Sequence, residues 1–271
     1  MAENIIPIPR VSVCLPTYNR GRFIAQAIDS VLKQSFTDWE LIIVDDGSTD
    51  NTEFVIAPFL SDPRITYLKN EVNRHISFTR NRALDKARGE YIAVLDSDDY
   101  WTNLDKIAKQ VKFLDEHRDY LVVGTRAEAV NPENKLLKQF SLPLSDREIR
   151  DNILGKNPII HSTVLYRRAA VLAIGKYNLE LNGIEDYDLW LRLGTVGKLA
   201  NLADMAVAYR IHPNNIVQTD RLRLMRTNLS LIRKNWDKYP GYFRAYWRRK
   251  LRLSAYLIFQ SIFHFLPKKV G

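Results

Sequence analysis

The 271 residues, 46% hydrophobic and 26% charged, suffice for one large α/β domain with an appendage and a real core. The single cysteine, Cys14, lies in an apolar run and excludes both a disulfide framework and a cysteine-ligated metal site. The net charge of +9 belongs to the tail: residues 218–271 hold thirteen Lys and Arg against two acids, which leaves −2 for the first 217 and argues against a nucleic-acid groove through the body.

Met1–Arg10 lacks the charged start and apolar stretch of a secretory signal, so the body of the chain is expected on the cytosolic side. Val11–Pro16 reads as a first strand stopped by Pro16, and Arg22–Gln34 places Phe23, Ile24, Ala27, Ile28, Val31 and Leu32 at helical spacing. Trp39–Val44 is a second buried strand. Asp50 with Glu53 three residues on has the form of a capping box opening the helix that carries Val55 and Ile56. Ile65–Leu68 is a short third strand, Phe78–Ala87 a helix, and Gly89 turns the chain into Tyr91–Leu95. Strands alternating with helices imply right-handed crossovers and a mostly parallel sheet flanked by helices.

The run Tyr91–Leu95 is followed at once by Asp96-Ser97-Asp98-Asp99. Periodicity alone does not separate a buried strand of this length from a helix, but Gly89 before it and the acids after it favour a strand that stops. Carboxylates bunched at such a stop repel one another unless a cation sits among them. Mg²⁺ or Mn²⁺, which takes one or two carboxylates plus water and substrate phosphates, fits. The alternative is an acidic loop in which Asp99 or Thr102 caps a helix over Leu104–Leu114. In an open parallel sheet, ligands bind beyond the carboxyl ends of the strands. Pro16-Thr17-Tyr18-Asn19, Asp45-Asp46-Gly47-Ser48 and the acid cluster each follow a strand, so all three are expected to line one crevice. Neither a G-x-G-x-x-G loop nor a Walker A lysine is present.

Further on, Leu121–Thr125 is strand-like and His161–Tyr166 returns to the sheet. In Gly183-Ile184-Glu185-Asp186-Tyr187-Asp188-Leu189-Trp190-Leu191-Arg192-Leu193, the residues Tyr187, Trp190, Leu191 and Leu193 share a helix face. Glu185 and Asp186 then fall in the first turn, where the helix dipole favours anions. Ala208–Asn215 adds a strand and a polar loop. Arg221–Trp236 has the pattern of an amphipathic helix, ended by Pro240-Gly241.

Taken in order, Pro16-Thr17-Tyr18-Asn19, Ile43-Val44-Asp45-Asp46-Gly47-Ser48-Thr49-Asp50, Arg80-Asn81, Gly89–Ile92 leading into Asp96-Ser97-Asp98, and Glu185-Asp186 resemble the inverting glycosyltransferases of family 2, with the Rossmann-like GT-A fold. The resemblance spans Val11 to about Gln218. It implies a catalytic domain over 1–217, divided into a nucleotide-binding half (1–100) and an acceptor half (101–217), with a basic helical tail over 218–271. It also implies that Pro16, Thr17, Tyr18, Asp45 and Asp46 hold the nucleoside, with UDP favoured by an acid facing the uracil N–H and dTDP sharing that edge; Tyr18 would otherwise be a turn aromatic packed on the sheet rim. In the Asp-x-Asp motif, Asp96 and Ser97 would lie at the nucleotide and Asp98 on Mn²⁺ or Mg²⁺. Asp99 is either a support for that site or a helix cap. Arg80 would lie by the nucleotide or diphosphate, or else on a solvated face beside Arg82. His212 would contact the metal or diphosphate, or serve only as a loop residue. One departure is His75, which stands where relatives often carry the glycine of Asn-x-Gly.

The resemblance further implies a single inverting displacement. Asp186 takes the proton from an acceptor hydroxyl, Glu185 supports it, and a cation on Asp98 neutralises the departing diphosphate. Asp188 is the rival base. The acceptor would be a saccharide or a lipid-linked sugar of the cell envelope. Rival readings are a sugar-phosphate nucleotidyltransferase and a membrane-associated nucleotide-binding module without catalysis. In the tail, Tyr242–Leu266 combines Arg244, Arg248, Arg249, Lys250 and Arg252 with an apolar stretch of 14 residues, Leu253–Leu266. That is short of the roughly 20 needed to cross a bilayer and fits an interfacial helix on anionic lipid. The enzyme would then be peripheral on the cytoplasmic face of the cell membrane. Packing of the tail on the body, or on a second subunit in an oligomer, is the alternative.

Overall fold

The computed structural model describes residues 8–213, 215 and 220–264. The first half builds β1 (Val11–Thr17), α1 (Ile24–Leu32), β2 (Trp39–Asp45), α2 (Thr52–Ile56), β3 (Ile65–Lys69), α3 (Ile76–Lys86) and β4 (Tyr91–Val94). These four strands run parallel in the order β3-β2-β1-β4. Alternation of side chains across each strand splits the core into two layers. Val13, Leu15, Leu41, Ile43 and Ala93 face α1, which buries Ile24, Ala27, Ile28 and Val31 against them. Cys14, Ile42, Val44, Ile92 and Val94 face the other side, where α3 contributes Ala83 and Leu84. With both faces covered, these strands read as continuous apolar runs. Each Ile or Leu buried in this way contributes about 1.5–3 kcal/mol.

The second half comprises β5 (Tyr100–Trp101), α4 (Lys106–Glu116), β6 (Tyr120–Val130), β7 (Leu136–Gln139), α5 (Asp146–Ile153), β8 (Leu165–Arg167), α6 (Arg168–Ala173), α7 (Glu185–Leu193) and β9 (Lys198–Arg210). Here the sheet becomes mixed. β8 lies antiparallel between β4 and β6, β5 is antiparallel on β9, and β7 forms a hairpin on β6, while β6 and β9 are parallel. The parallel expectation therefore holds for β1–β4 and for β6-β9, not for β5, β7 and β8.

Two cap expectations come out differently. Asp50 does not form a box with Glu53: its Oδ1 accepts from the Thr52 amide at 3.0 Å and its Oδ2 from the Gly21 amide at 3.1 Å, tying the loop after β1 to the loop after β2. Glu53 pairs instead with Lys69. A complete capping box opens α5, from Ser145 and Glu148. Asp99 caps nothing, since α4 begins after Asp105.

The tail forms α8 (Arg221–Lys234) and α9 (Tyr242–His264). Leu224, Leu231 and Ile232 of α8 and Ala245 of α9 are buried in the layer that holds α7, with Tyr242 and Tyr246 packed on it. The Tyr239 hydroxyl donates to the Leu191 carbonyl at 2.7 Å. The turn at Pro240-Gly241 places Gly241 at φ +78°, and α9 starts directly after it. The opposite side of α9 exposes Phe243, Trp247, Leu251 and Ile258. Among the described residues no helix is long and apolar enough to cross a bilayer. Leu266, the end of the apolar stretch, lies outside the described residues, as do Met1, Asn214 and Gln218.

Candidate active site

Parallel register brings the three polar strand ends to one edge. Thr17 stands opposite Asp45, the Thr17 carbonyl accepts from the Asp46 amide at 2.8 Å, and the Cys14 carbonyl accepts from the Leu95 amide at 3.1 Å. Beyond that edge opens a cleft of about 780 Å³ whose wall includes Pro16, Thr17, Tyr18, Asp46 and Arg80 on one side. Asp96, Ser97 and Asp98 form its floor, and Glu185 and Asp186 face it from α7. Tyr18 is exposed, and Thr17 is buried with its hydroxyl lacking a partner among the described residues. An orphaned donor of this kind in a cleft wall is a group for a ligand to satisfy.

Asp45 and Asp46 divide their work. Asp45 is fully buried, accepting from the Ser48 amide at 2.8 Å and the Tyr67 hydroxyl at 2.9 Å, and it does not reach the cleft. Asp46 does line the cleft, with its Oδ1 held by the Asn70 side chain at 2.6 Å and the Arg74 amide at 2.8 Å. Gly47 between these loops adopts φ +77°, and a Cβ there would meet the Val72 backbone at 3.0 Å. The tight approach that fixes Asp46 therefore requires glycine.

In the acid cluster each carboxylate has a different setting. Asp96 Oδ1 accepts from Arg80 Nη2 at 2.6 Å. Burial raises its pKa, but the Arg80 guanidinium, with His161, outweighs that and holds the carboxyl well below the usual range. Arg80 also donates through Nη1 to Glu185, so one buried guanidinium joins β4 to α7. Asp98 Oδ2 lies 2.9 Å from His212 Nε2 and 3.1 Å from Arg20 Nε. Asp99 is buried beneath, accepting from the Ser162 hydroxyl at 2.5 Å and the Arg210 amide at 2.7 Å. Burial and then the charges of Asp98 and Asp96 push its pKa well up. Asp99 is therefore the brace that ties the end of β9, and with it His212, to the acid cluster.

Asp98 and His212 form a carboxylate–imidazole pair that fits a Mn²⁺ or Mg²⁺ also taking phosphate oxygens and water. No group of three or more such ligands converges among the described residues, so a donor diphosphate would have to complete the shell.

On the far side, Asp186 Oδ1 accepts from the Tyr187 amide at 2.7 Å and its Oδ2 from Asn157 Nδ2 at 2.9 Å. The residue is half-buried and open to the cleft. Asp188, the rival base, is buried and bound to Arg192 Nε at 2.7 Å. Glu185 is buried, with its pKa raised by burial against the pull of Arg80.

The sequence pattern of Glycosyl transferase family 2 matches residues 12–175. The chain belongs to glycosyltransferase family 2. It is 36% identical over 184 residues to the Escherichia coli UDP-Glc:alpha-D-GlcNAc-diphosphoundecaprenol beta-1,3-glucosyltransferase WfgD, a match covering 68% of this chain and 69% of that protein. Among solved structures it resembles S. aureus TarS 1-349 in complex with UDP, at TM-score 0.64 and 26% identity, covering 82% of this chain and 65% of TarS 1-349. The mannosyltransferase PcManGT from Pyrobaculum calidifontis, in complex with GDP-Man and Mn2+, shares the fold at TM-score 0.66 and 19% identity, covering 92% of this chain and 70% of that one. The chain thus spans about two thirds of the length of these proteins.

Within this family 2 site, several residues were not singled out from sequence. Arg20 on Asp98 and Asn157 on Asp186 come from loops with no periodic signal, while His161, 3.7 Å from Asp96 and expected at the start of a strand, lies instead in a 3-10 turn, His161–Thr163, ahead of β8. Arg249 and Arg252 come from the tail helix and line the same cleft. Their spacing of three along α9 was the one available sign that they share a face.

Proposed function

We propose that this family 2 chain transfers a sugar from a uridine diphosphate sugar to an acceptor hydroxyl, inverting the anomeric centre, in cell-envelope polysaccharide or glycolipid synthesis. The observation that carries this reading is the cleft in which the strand-end acids face Asp186 across the donor floor. The similarity to WfgD, a UDP-Glc glucosyltransferase, and to the UDP complex of TarS supports the choice of uridine. Residues 1–100 serve the donor, 101–217 the acceptor, and 218–271 form the tail.

Thr17, Tyr18 and Asp46 bind the nucleoside, with Pro16 and Ser97 shaping the wall around it. Asp45 holds the Asp46 loop in place. Arg80 fixes Asp96 at the nucleotide and Glu185 beside the base. Asp98 and His212 would hold Mn²⁺ or Mg²⁺, which when bound supplies positive charge against the leaving diphosphate. Arg20 adds a fixed positive charge at the same place. Asp186, held by Asn157, accepts the proton from the attacking hydroxyl as the new bond forms, a role typically worth about 10²–10⁴-fold. One displacement without a covalent intermediate inverts the configuration.

The exposed face of α9, with Phe243, Trp247 and Leu251 beside Arg244, Arg248 and Lys250, fits the surface of an anionic membrane. On this reading the enzyme sits peripherally on the cytoplasmic face. Incubation with Mn²⁺ and a panel of UDP-sugars tests the main reading. Slow release of UDP, lost in Asp98→Ala and Asp186→Asn, is expected; UDP binding without release under any acceptor would replace the transferase with a binding module.

A further inference from the structure

The wall of the cleft is built partly by the tail. Arg249 and Arg252 of α9 line it together with Lys156 from the segment after α5. The other cleft arginines each have an acid partner, Arg20 in Asp98 and Arg80 in Asp96 and Glu185. Arg249 is different. Its Nε donates to the Leu154 carbonyl at 3.0 Å and its Nη2 to the Tyr187 hydroxyl at 3.1 Å, both uncharged. Among the described residues neither Arg249 nor Arg252 forms an ion pair. Burial lowers the pKa of Arg249, and Arg252 and Arg248 lower it further while Tyr187 opposes them. The guanidinium thus sits in uncompensated positive surroundings, partly out of water, where an anion would be favourable.

We propose that Arg249 and Arg252 form a subsite for a phosphate or diphosphate ester carried by the acceptor, and that the tail thereby completes the acceptor side of the active site. The inference rests on the reading that the α7 side of the cleft receives the acceptor. Three features place it. Arg249 bonds to Tyr187 of α7 and lines the same cleft as Asp186, so an anion held there lies on the α7 side with the proposed base. Arg252 follows one helical turn along α9, and a fork of two guanidinium groups matches the oxygens of a phosphate. Finally, the reverse face of the same helix carries Phe243, Trp247 and Leu251, so a phosphate ester on a lipid chain can meet arginine and apolar surface from one element.

Binding to the full-length protein saturated with UDP and Mg²⁺ provides the test. The probes are geranyl diphosphate, inorganic pyrophosphate and uncharged geraniol. Arg249→Ala with Arg252→Ala should weaken geranyl diphosphate about 100-fold, about tenfold for each charge-assisted contact. UDP affinity should stay within about twofold. Arg252→Lys should keep most of the binding, and Arg252→Glu, at an exposed residue with no described bond, should lose it without unfolding. Arginine-dependent binding of pyrophosphate as well as geranyl diphosphate supports a subsite for phosphate as such; dependence for geranyl diphosphate alone supports a lipid-borne ester. Unchanged geranyl diphosphate affinity in Arg252→Glu overturns the proposal even if UDP-sugars are turned over. Conversely, arginine-dependent binding in a protein that releases no UDP leaves the subsite standing and removes the transferase reading.

Discussion

Arg80 and Glu185, 105 residues apart in sequence, meet in a buried ion pair, and the same guanidinium holds Asp96 at 2.6 Å. The end of β4 and the start of α7 are therefore coupled through one side chain. Removing one member of a buried pair strands the other's charge, at about 3–5 kcal/mol. Arg80→Ala is expected to lower the urea midpoint accordingly. In a double-mutant cycle, Arg80→Met with Glu185→Gln should cost less than the sum of the single changes. Additive losses would show that the pair couples nothing.

Asp186→Asn keeps the size of the side chain while removing the carboxylate proposed as the base. Sugar transfer should fall by about 10²–10⁴-fold with UDP affinity unchanged. A comparable loss in Asp188→Asn, with Asp186→Asn fully active, would reassign the base. Asn157→Ala should produce a smaller fall, because Asn157 only orients the carboxylate through the 2.9 Å bond.

The legible parts of this protein are those governed by strand period and strand ends. β1, β2 and β4 were readable because both faces are buried, and their ends point to one edge because parallel register requires it. The division between Asp45 and Asp46 was not readable. Adjacent acids look alike until the Tyr67 hydroxyl and the Asn70 amide are seen to take one each. Nor was the double face of α9: a helix with arginines and aromatics all round carries no amphipathic signature that says which arginine meets the cleft. The direction of β8 escaped for a related reason, since a strand of three residues has no pattern to report its neighbours.

His75 occupies a glycine's backbone. It precedes α3 at φ 68° and ψ 162°, a region that side chains avoid at a cost of about 1–3 kcal/mol. His75→Gly should relieve this, less about 0.5–1 kcal/mol for the added freedom of the unfolded chain. A net gain of about 1 kcal/mol in urea unfolding is expected, whereas His75→Ala should gain nothing. A loss of stability in His75→Gly would show that contacts of the imidazole outweigh the strain.

Asp98 offers its oxygen to His212 at 2.9 Å and to Arg20 at 3.1 Å. If the pair takes a divalent cation together with a diphosphate, UDP should raise the melting temperature more with Mn²⁺ than with EDTA. In Asp98→Asn the two conditions should coincide, and His212→Ala should narrow the gap. A gap of full size in Asp98→Asn would move the cation elsewhere.

Behind the acid cluster lies a buried cation with no acid to pair it among the described residues. Lys106 Nζ donates to Gln110 Oε1 at 2.8 Å and lies 4.2 Å from the centre of the Trp101 ring. Burial lowers its pKa well below the ordinary 10.5. The fold therefore disfavours the ammonium, which carries a cost at any pH below the folded-state pKa. As pH rises from there toward 10.5 the unfolded chain binds more protons than the fold, so stability increases, by at most about 1.4 kcal/mol per pH unit from this group. Lys106→Met removes that contribution. It also leaves Gln110 Oε1 without its donor, at about 1–3 kcal/mol, so the absolute change at one pH does not decide the matter. The slope does: between about pH 7 and about pH 10, unfolding free energies of the parent should rise relative to those of Lys106→Met. Parallel curves would mean that Lys106 titrates in the fold as it does in water.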